Sequence, residues 1–259
     1  MFPLHDNNPT VRFPIVTVVL IAINLLVFVW ESTLPPKESL MLSIQRGFIP
    51  DRLTSLWEGE PGVVQIGDQQ AELPANPQQI YLSLLTCMFL HASWGHVLGN
   101  MWFLWLFGNN VEDRIGRIRF LIFYLLGGLI ATGCHWYTGP ESGLPVVGAS
   151  GAVSAVLGAY AVTWPKARVR TLVVLVVIIT VIELPALAVL GFWFAMQLLD
   201  GLNAMKLEVG GGVAFWAHIG GFVAGCALIP LFKLGVKPPL PRTTYQPGYP
   251  RSPVRGDYY

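Results

Sequence analysis

Residues 213–232 read VAFWAHIGGFVAGCALIPLF, twenty positions with no Asp, Glu, Lys or Arg and a single histidine, His218. About 20 apolar residues in helical form cross the hydrocarbon core of a bilayer. An ionisable group inside such a segment is costly and marks a functional position by default. Gly221 and Gly225 follow at i+3 and i+7, on the face that carries His218, and let a second helix approach closely. Five further stretches have the same character: roughly 14–30, 94–111, 120–137, 148–164 and 184–199. The composition agrees. Of 259 residues, 53% are apolar and 12% charged, and the mean hydropathy is +0.55. So few charges exclude a disordered chain and argue against a soluble globule. A net charge of +1 offers nucleic acid no footprint. Cys87, Cys134 and Cys226 lie apart in apolar runs and read as small core residues.

These readings predict an all-α membrane protein, a bundle of six transmembrane helices. The predicted layout is a short cytosolic N-terminus (1–13), a six-helix domain (14–233) with a long outer loop over about 31–93, and a disordered, proline-rich cytosolic tail (234–259). The first stretch lacks an A-x-A cleavage site and reads as a retained helix rather than a signal peptide. With six spans, 12 of the 16 Lys and Arg fall on the side of the termini and 4 on the other, so both termini are expected in the cytosol, in a prokaryotic cell membrane. Residues 170–183, RTLVVLVVIITVIE, abut the fifth span and are predicted to form an interfacial or re-entrant segment, with a helix starting near Pro185. In the outer loop, Leu40, Leu42, Ile44, Phe48, Ile49 and Leu56 suggest short amphipathic pieces on the bilayer surface, or an ordinary extramembrane loop.

The polar residues of the spans gather near the outer ends. His96 and Asn100 stand at i and i+4 on the second span, just after His91. A metal site is not expected, since no Glu lies between the histidines as H-E-x-x-H requires. Ser150 begins the fourth span between Ala149 and Gly151, where free backbone N–H groups can face a developing negative charge. Ser154, Ala155 and Gly158 continue a stripe of small residues, so close packing is part of the role of this helix. If the fourth and sixth spans pack through their small faces, Ser150 and His218 meet at similar depth as nucleophile and base. No acid lies nearby on the sixth span to complete a triad.

In this order His91-x4-His96-x3-Asn100, Glu112-x3-Gly116-x3-Phe120, Gly148-x-Ser150-Gly151 and Ala217-His218-x-Gly220-Gly221-x3-Gly225 resemble the rhomboid intramembrane serine proteases, over about residues 80–232. The resemblance implies a six-helix core that cleaves membrane-anchored substrates without a cofactor. Ser150 would be the nucleophile and His218 its general base. Asn100, His96 and the backbone N–H of Ser150 would form an oxyanion hole shaped by Gly148. His91, Glu112, Gly116, Gly151, Gly221 and Gly225 would be structural. The implied partners are transmembrane protein substrates and the lipid bilayer; the sequence carries no signal for an oligomeric state. There are departures from the family pattern. Leu82-Ser83 stands where many members have Trp-Arg, and Ser154 stands where some carry an aromatic under the imidazole. His218 must then be oriented by other means, with Ser154 one candidate. The segment 200–212, ending in three glycines, reads as a mobile cap or a plain linker, and the aromatics Trp102, Phe103, Trp105, Phe107, Phe192, Trp193 and Phe194 read as lipid-facing rather than as an entry gate. Two rivals are a catalytically inactive rhomboid-like binder of transmembrane helices and a small transporter. The second would place charges or broken helices at mid-depth.

Overall fold

The computed structural model describes residues 1–67, 69–74, 76–175, 178–207 and 215–237. A short strand, β1 (Phe2–Asp6), leads into helix α1 (Ile15–Ser32). The first turn of α1 has no capping side chain of its own. Its free donors go instead to the buried Glu112 carboxylate, which accepts from Val16 N at 3.0 Å, Thr17 N at 2.7 Å and Thr17 Oγ1 at 2.8 Å. Next to it, Asp113 accepts from Val11 N at 2.8 Å and Arg12 N at 3.1 Å, and Arg12 Nε lies 3.1 Å from the same carboxylate. Glu112 thus fastens α1 to the bundle. Glu112→Ala strands three donors and is expected to cost about 2–4 kcal/mol, read as a lowered unfolding temperature in detergent.

The segment after α1 is a folded layer. It contains α2 (Pro36–Arg46), α3 (Pro50–Glu58), the hairpin β2 (Gly62–Ile66) and β3 (Gln69–Leu73), and α4 (Pro77–Thr86). This corrects the surface-lying expectation for several of its residues. Ile44 and Ile49 pack on Val64, and Phe48 packs with Leu53, Ile80, Cys87 and Met88, all buried. Phe48 also exchanges backbone hydrogen bonds with Val146 at 3.0 and 2.7 Å, so the layer is tied to the loop before Ser150.

A 3₁₀ turn (Cys87–Phe89) precedes α5 (Trp94–Phe103), which continues through a π-helical stretch (Leu104–Gly108) into α6 (Asn109–Ile115). Gly116, at φ 87°, ends α6 in a conformation that disfavours a side chain and starts α7 (Arg117–Thr138) in a new direction. Helix α8 (Ser150–Thr163) follows, with every residue from Gly151 to Ala161 buried. Then come strands β4 (Arg168–Leu175) and β5 (Ile178–Pro185), α9 (Ala186–Leu207) and α10 (Phe215–Lys233).

The β4–β5 pair adds to the mostly helical fold a small sheet that the helical reading of the sequence did not include, and it gives the stretch read as interfacial or re-entrant an extended form. These residues form an antiparallel hairpin, with β1 pairing the other edge of β4. Their β-branched side chains suit a pleated surface better than a helix. The helix boundary falls where proline suggested, with Ala186 first in α9. The corner between β1 and the bundle is fixed by Asp6, which accepts from Tyr160 Oη at 2.6 Å and Asn110 Nδ2 at 2.8 Å. Burial pushes the Asp6 carboxyl above its ordinary range, against the pull of those two hydrogen bonds.

Among the described residues, four helices are long and apolar enough to cross a bilayer: α1, α7, α9 and α10; the pair Pro77–Phe89 and Trp94–Ile115, bent by 78°, raises the number to five if it is one span. The chain is an integral membrane protein built mostly from helices. Length alone does not yield the expected six, because α8 has only 14 residues, about 21 Å of helix. That is shorter than the hydrocarbon core. Its length is compensated by enclosure, since its neighbours rather than lipid cover it.

Helices α8 and α10 pack at backbone contact. A Cβ on Gly221 would run into the carbonyl of Gly151, one on Gly225 into that of Ala155, and one on Gly158 into that of Phe222. The small-residue faces predicted from spacing are the surfaces that meet. The possible cap at 200–212 falls partly, and the tail from 238 onward wholly, outside the described residues.

Candidate active site

Close packing of α8 on α10 decides the position of both candidate catalytic side chains. Ser150 is the first residue of α8, and His218 lies one turn into α10. His218 Nε2 is 2.7 Å from Ser150 Oγ. The other ring nitrogen, Nδ1, is 2.6 Å from Oε1 of Gln197 on α9. Trp193, one turn earlier on α9, sets its ring 6.1 Å from the imidazole at 36°. Ser154 does not orient the histidine. Its hydroxyl donates to the carbonyl of Ser150 at 2.6 Å, within its own helix.

The second group of predicted residues converges on the turn before Ser150. Ser93 caps α5 by accepting from His96 N at 3.2 Å, which fixes the start of the helix that bears His96 and Asn100. Gly148, at φ 129°, lies under the His96 ring; a Cβ there would sit 2.6 Å from His96 Cε1. Only glycine combines that backbone with that proximity. The Gly148 N–H donates to the carbonyl of Cys87 at 2.8 Å, which holds the turn against the 3₁₀ segment. Asn100 Nδ2 lies 3.1 Å from His91 Nε2, and Ala149 N–H points at the same nitrogen at 3.4 Å. Two donors on one ring nitrogen make it the acceptor. His91 therefore joins Asn100 to the backbone that carries Ser150.

Glu31 was not singled out in the sequence. It accepts from His91 N at 3.2 Å from the end of α1, and is buried. Gln197 was likewise missed, although a neutral amide on a span, one turn from Trp193, is a signal that residue type alone could have raised. Glu112, Gly116 and Phe120 lie at the far end of the α5–α6 helix run. Their roles are in the frame: Glu112 holds α1, Gly116 turns the chain and Phe120 is fully buried.

Comparison with known proteins identifies the family. The family model described as "Rhomboid domain" matches residues 78–234, and the chain belongs to the rhomboid family. It is similar to the presenilin-associated rhomboid-like protein A, mitochondrial, of Danio rerio, at 30% identity over 152 residues, 56% of this chain and 36% of that one. Rhomboid-like protein 11, chloroplastic, of Arabidopsis thaliana is 37% identical over 73 residues, 28% of this chain and 26% of that protein. The putative rhomboid protease YdcA of Bacillus subtilis is 36% identical over 77 residues, 30% of this chain and 38% of that one. The chain thus spans about a third of the length of the relatives it matches.

Proposed function

We propose that this protein is an intramembrane serine endopeptidase that cleaves transmembrane-anchored proteins near the outer membrane face. The observation that carries the reading is the 2.7 Å approach of His218 Nε2 to Ser150 Oγ at the start of a glycine-packed helix. In the first step Ser150 Oγ attacks the scissile carbonyl carbon while His218 takes the hydroxyl proton. The carbonyl electrons move onto oxygen, and in this reading Asn100, His96 and the Ser150 N–H donate to it. Collapse of this intermediate breaks the C–N bond, and His218 returns the proton to the leaving amine. Water, activated by the same imidazole, then hydrolyses the acyl-enzyme and regenerates Ser150.

Hydrolysis in a bilayer requires water at the site. The candidate residues sit at helix ends and in the turn before them, on one side of the bundle. In this reading the chain crosses six times, with α8 as the short enclosed span and the bent α4–α5 pair contributing the second. Both termini lie in the cytosol in this reading, as the distribution of Lys and Arg supports.

Reconstitution in liposomes with a tagged single-span substrate tests the proposal. Mass spectrometry of the fragments is expected to place the cut within the outer third of the substrate span or just beyond it. A cut at the midplane, or at the cytosolic end, would contradict it.

A further inference from the structure

The imidazole of His218 is held at both nitrogens, and the second partner comes from neither helix of the Ser–His pair. Gln197 Oε1 lies 2.6 Å from Nδ1. A general base needs a bare Nε2, so the ring proton must reside on Nδ1. Only an acceptor facing Nδ1 favours that tautomer. A glutamine can supply one through its carbonyl oxygen; with the amide reversed, its NH2 group would push the proton onto Nε2 and leave Ser150 without a base.

Trp193 adds a steric limit from the same helix. It stands four residues before Gln197, on the same face of α9, and packs against both His218 and Phe222 with ring centres 6.1 Å from each. The family position four residues after the nucleophile is Ser154, which is bonded to its own helix. The neighbours Phe192, Met196 and Leu199 point outward and are exposed. The inward face of α9 therefore carries the contacts that confine the ring.

We propose that Gln197 is the positioning residue of the site, selecting the His218 tautomer and completing a Ser150–His218–Gln197 relay. The proposal rests on the serine endopeptidase reading above. It also makes the docking of α9 on α10 a condition for activity, because displacement of α9 removes Gln197 and Trp193 together.

Gln197→Met preserves length and apolar packing while deleting the acceptor, and Gln197→Leu repeats the deletion with a different shape. Both are expected to lower kcat about 10- to 100-fold with KM unchanged, the loss of one orienting hydrogen bond. The rate of covalent labelling by a fluorophosphonate should fall by the same factor, at an unchanged unfolding temperature. Gln197→Glu keeps an acceptor oxygen in place and should recover most of the rate. Wild-type rates in the Met and Leu variants, equal losses in the Met and Glu variants, or a loss that only tracks the unfolding temperature would overturn the role of Gln197. If the wild type itself is not labelled at Ser150, the endopeptidase reading fails first and the relay with it.

Discussion

Ser150→Ala is expected to reduce cleavage of a transmembrane substrate to background, with the unfolding temperature within a degree or two of wild type. His218→Ala is expected to lose nearly as much. In serine hydrolases the nucleophile and base act as one unit, and removing either costs roughly 10⁴- to 10⁶-fold in turnover. The two losses should not add in the double variant, because each alone disables the same proton-coupled attack. Stability should change little. The close α8–α10 contact is made at Gly151, Ala155 and Gly158, which the substitution leaves in place; only the Ser150–His218 hydrogen bond is lost. Cleavage that survives in Ser150→Ala would assign the activity to another group. A wild type that binds transmembrane helices without cutting them would instead make the chain an inactive binder.

Gly225→Val should have the largest structural effect. Any Cβ at 225 would fall on the backbone carbonyl of Ala155, and a backbone atom of a fully buried helix cannot give way as a side chain can. The helices would have to part, separating Ser150 from His218. A destabilisation of about 3 kcal/mol or more is expected, at the upper end of overpacking effects. Thermal unfolding in detergent measures it, and activity should vanish in parallel. Gly133→Ala in α7 is the control, since a Cβ there meets nothing within 4 Å and stability should be unchanged or slightly higher. A Gly225→Val protein with native stability would refute the close approach of α8 and α10.

The pairing of Ser150 with His218 was legible because glycine spacing carries distance information. Gly221 and Gly225 on one helix and Gly151, Ala155 and Gly158 on the other predict which faces touch, and matched depth then follows. His96 stood out as a polar residue of a span, but its link to Gly148 came only through the family resemblance; their contact depends on a positive φ that sequence does not display. Gln197 carried a signal in its residue type, but the direction it faces was hidden by its surroundings. Phe192, Trp193 and Phe194 read as lipid-facing, yet only Phe192 is strongly exposed, while Trp193 and Phe194 pack on Phe222. An aromatic-rich span gives no clear periodicity, so its inward face could not be identified.

The sheet was illegible for a different reason. The β-branched run at 168–185 favours strand, but its partner β1 lies more than 160 residues away and forms an edge that no local signal predicts. In the layer after α1, Ile44, Phe48 and Ile49 have the spacing of surface-lying helices. Their packing on Val64, Leu53, Ile80 and Met88, with the long-range bridge from Phe48 to Val146, shows that protein covers them. The fourth span was legible at 148–164, but not that its helix is only 14 residues long and enclosed by neighbouring helices.

Labelling of the reconstituted protein with a fluorophosphonate, followed by peptide mapping, tests the central claim most directly. The account predicts a single stoichiometric adduct on Ser150, absent from Ser150→Ala and strongly slowed in His218→Ala. An adduct on another residue, or labelling that proceeds at the wild-type rate without His218, would contradict it.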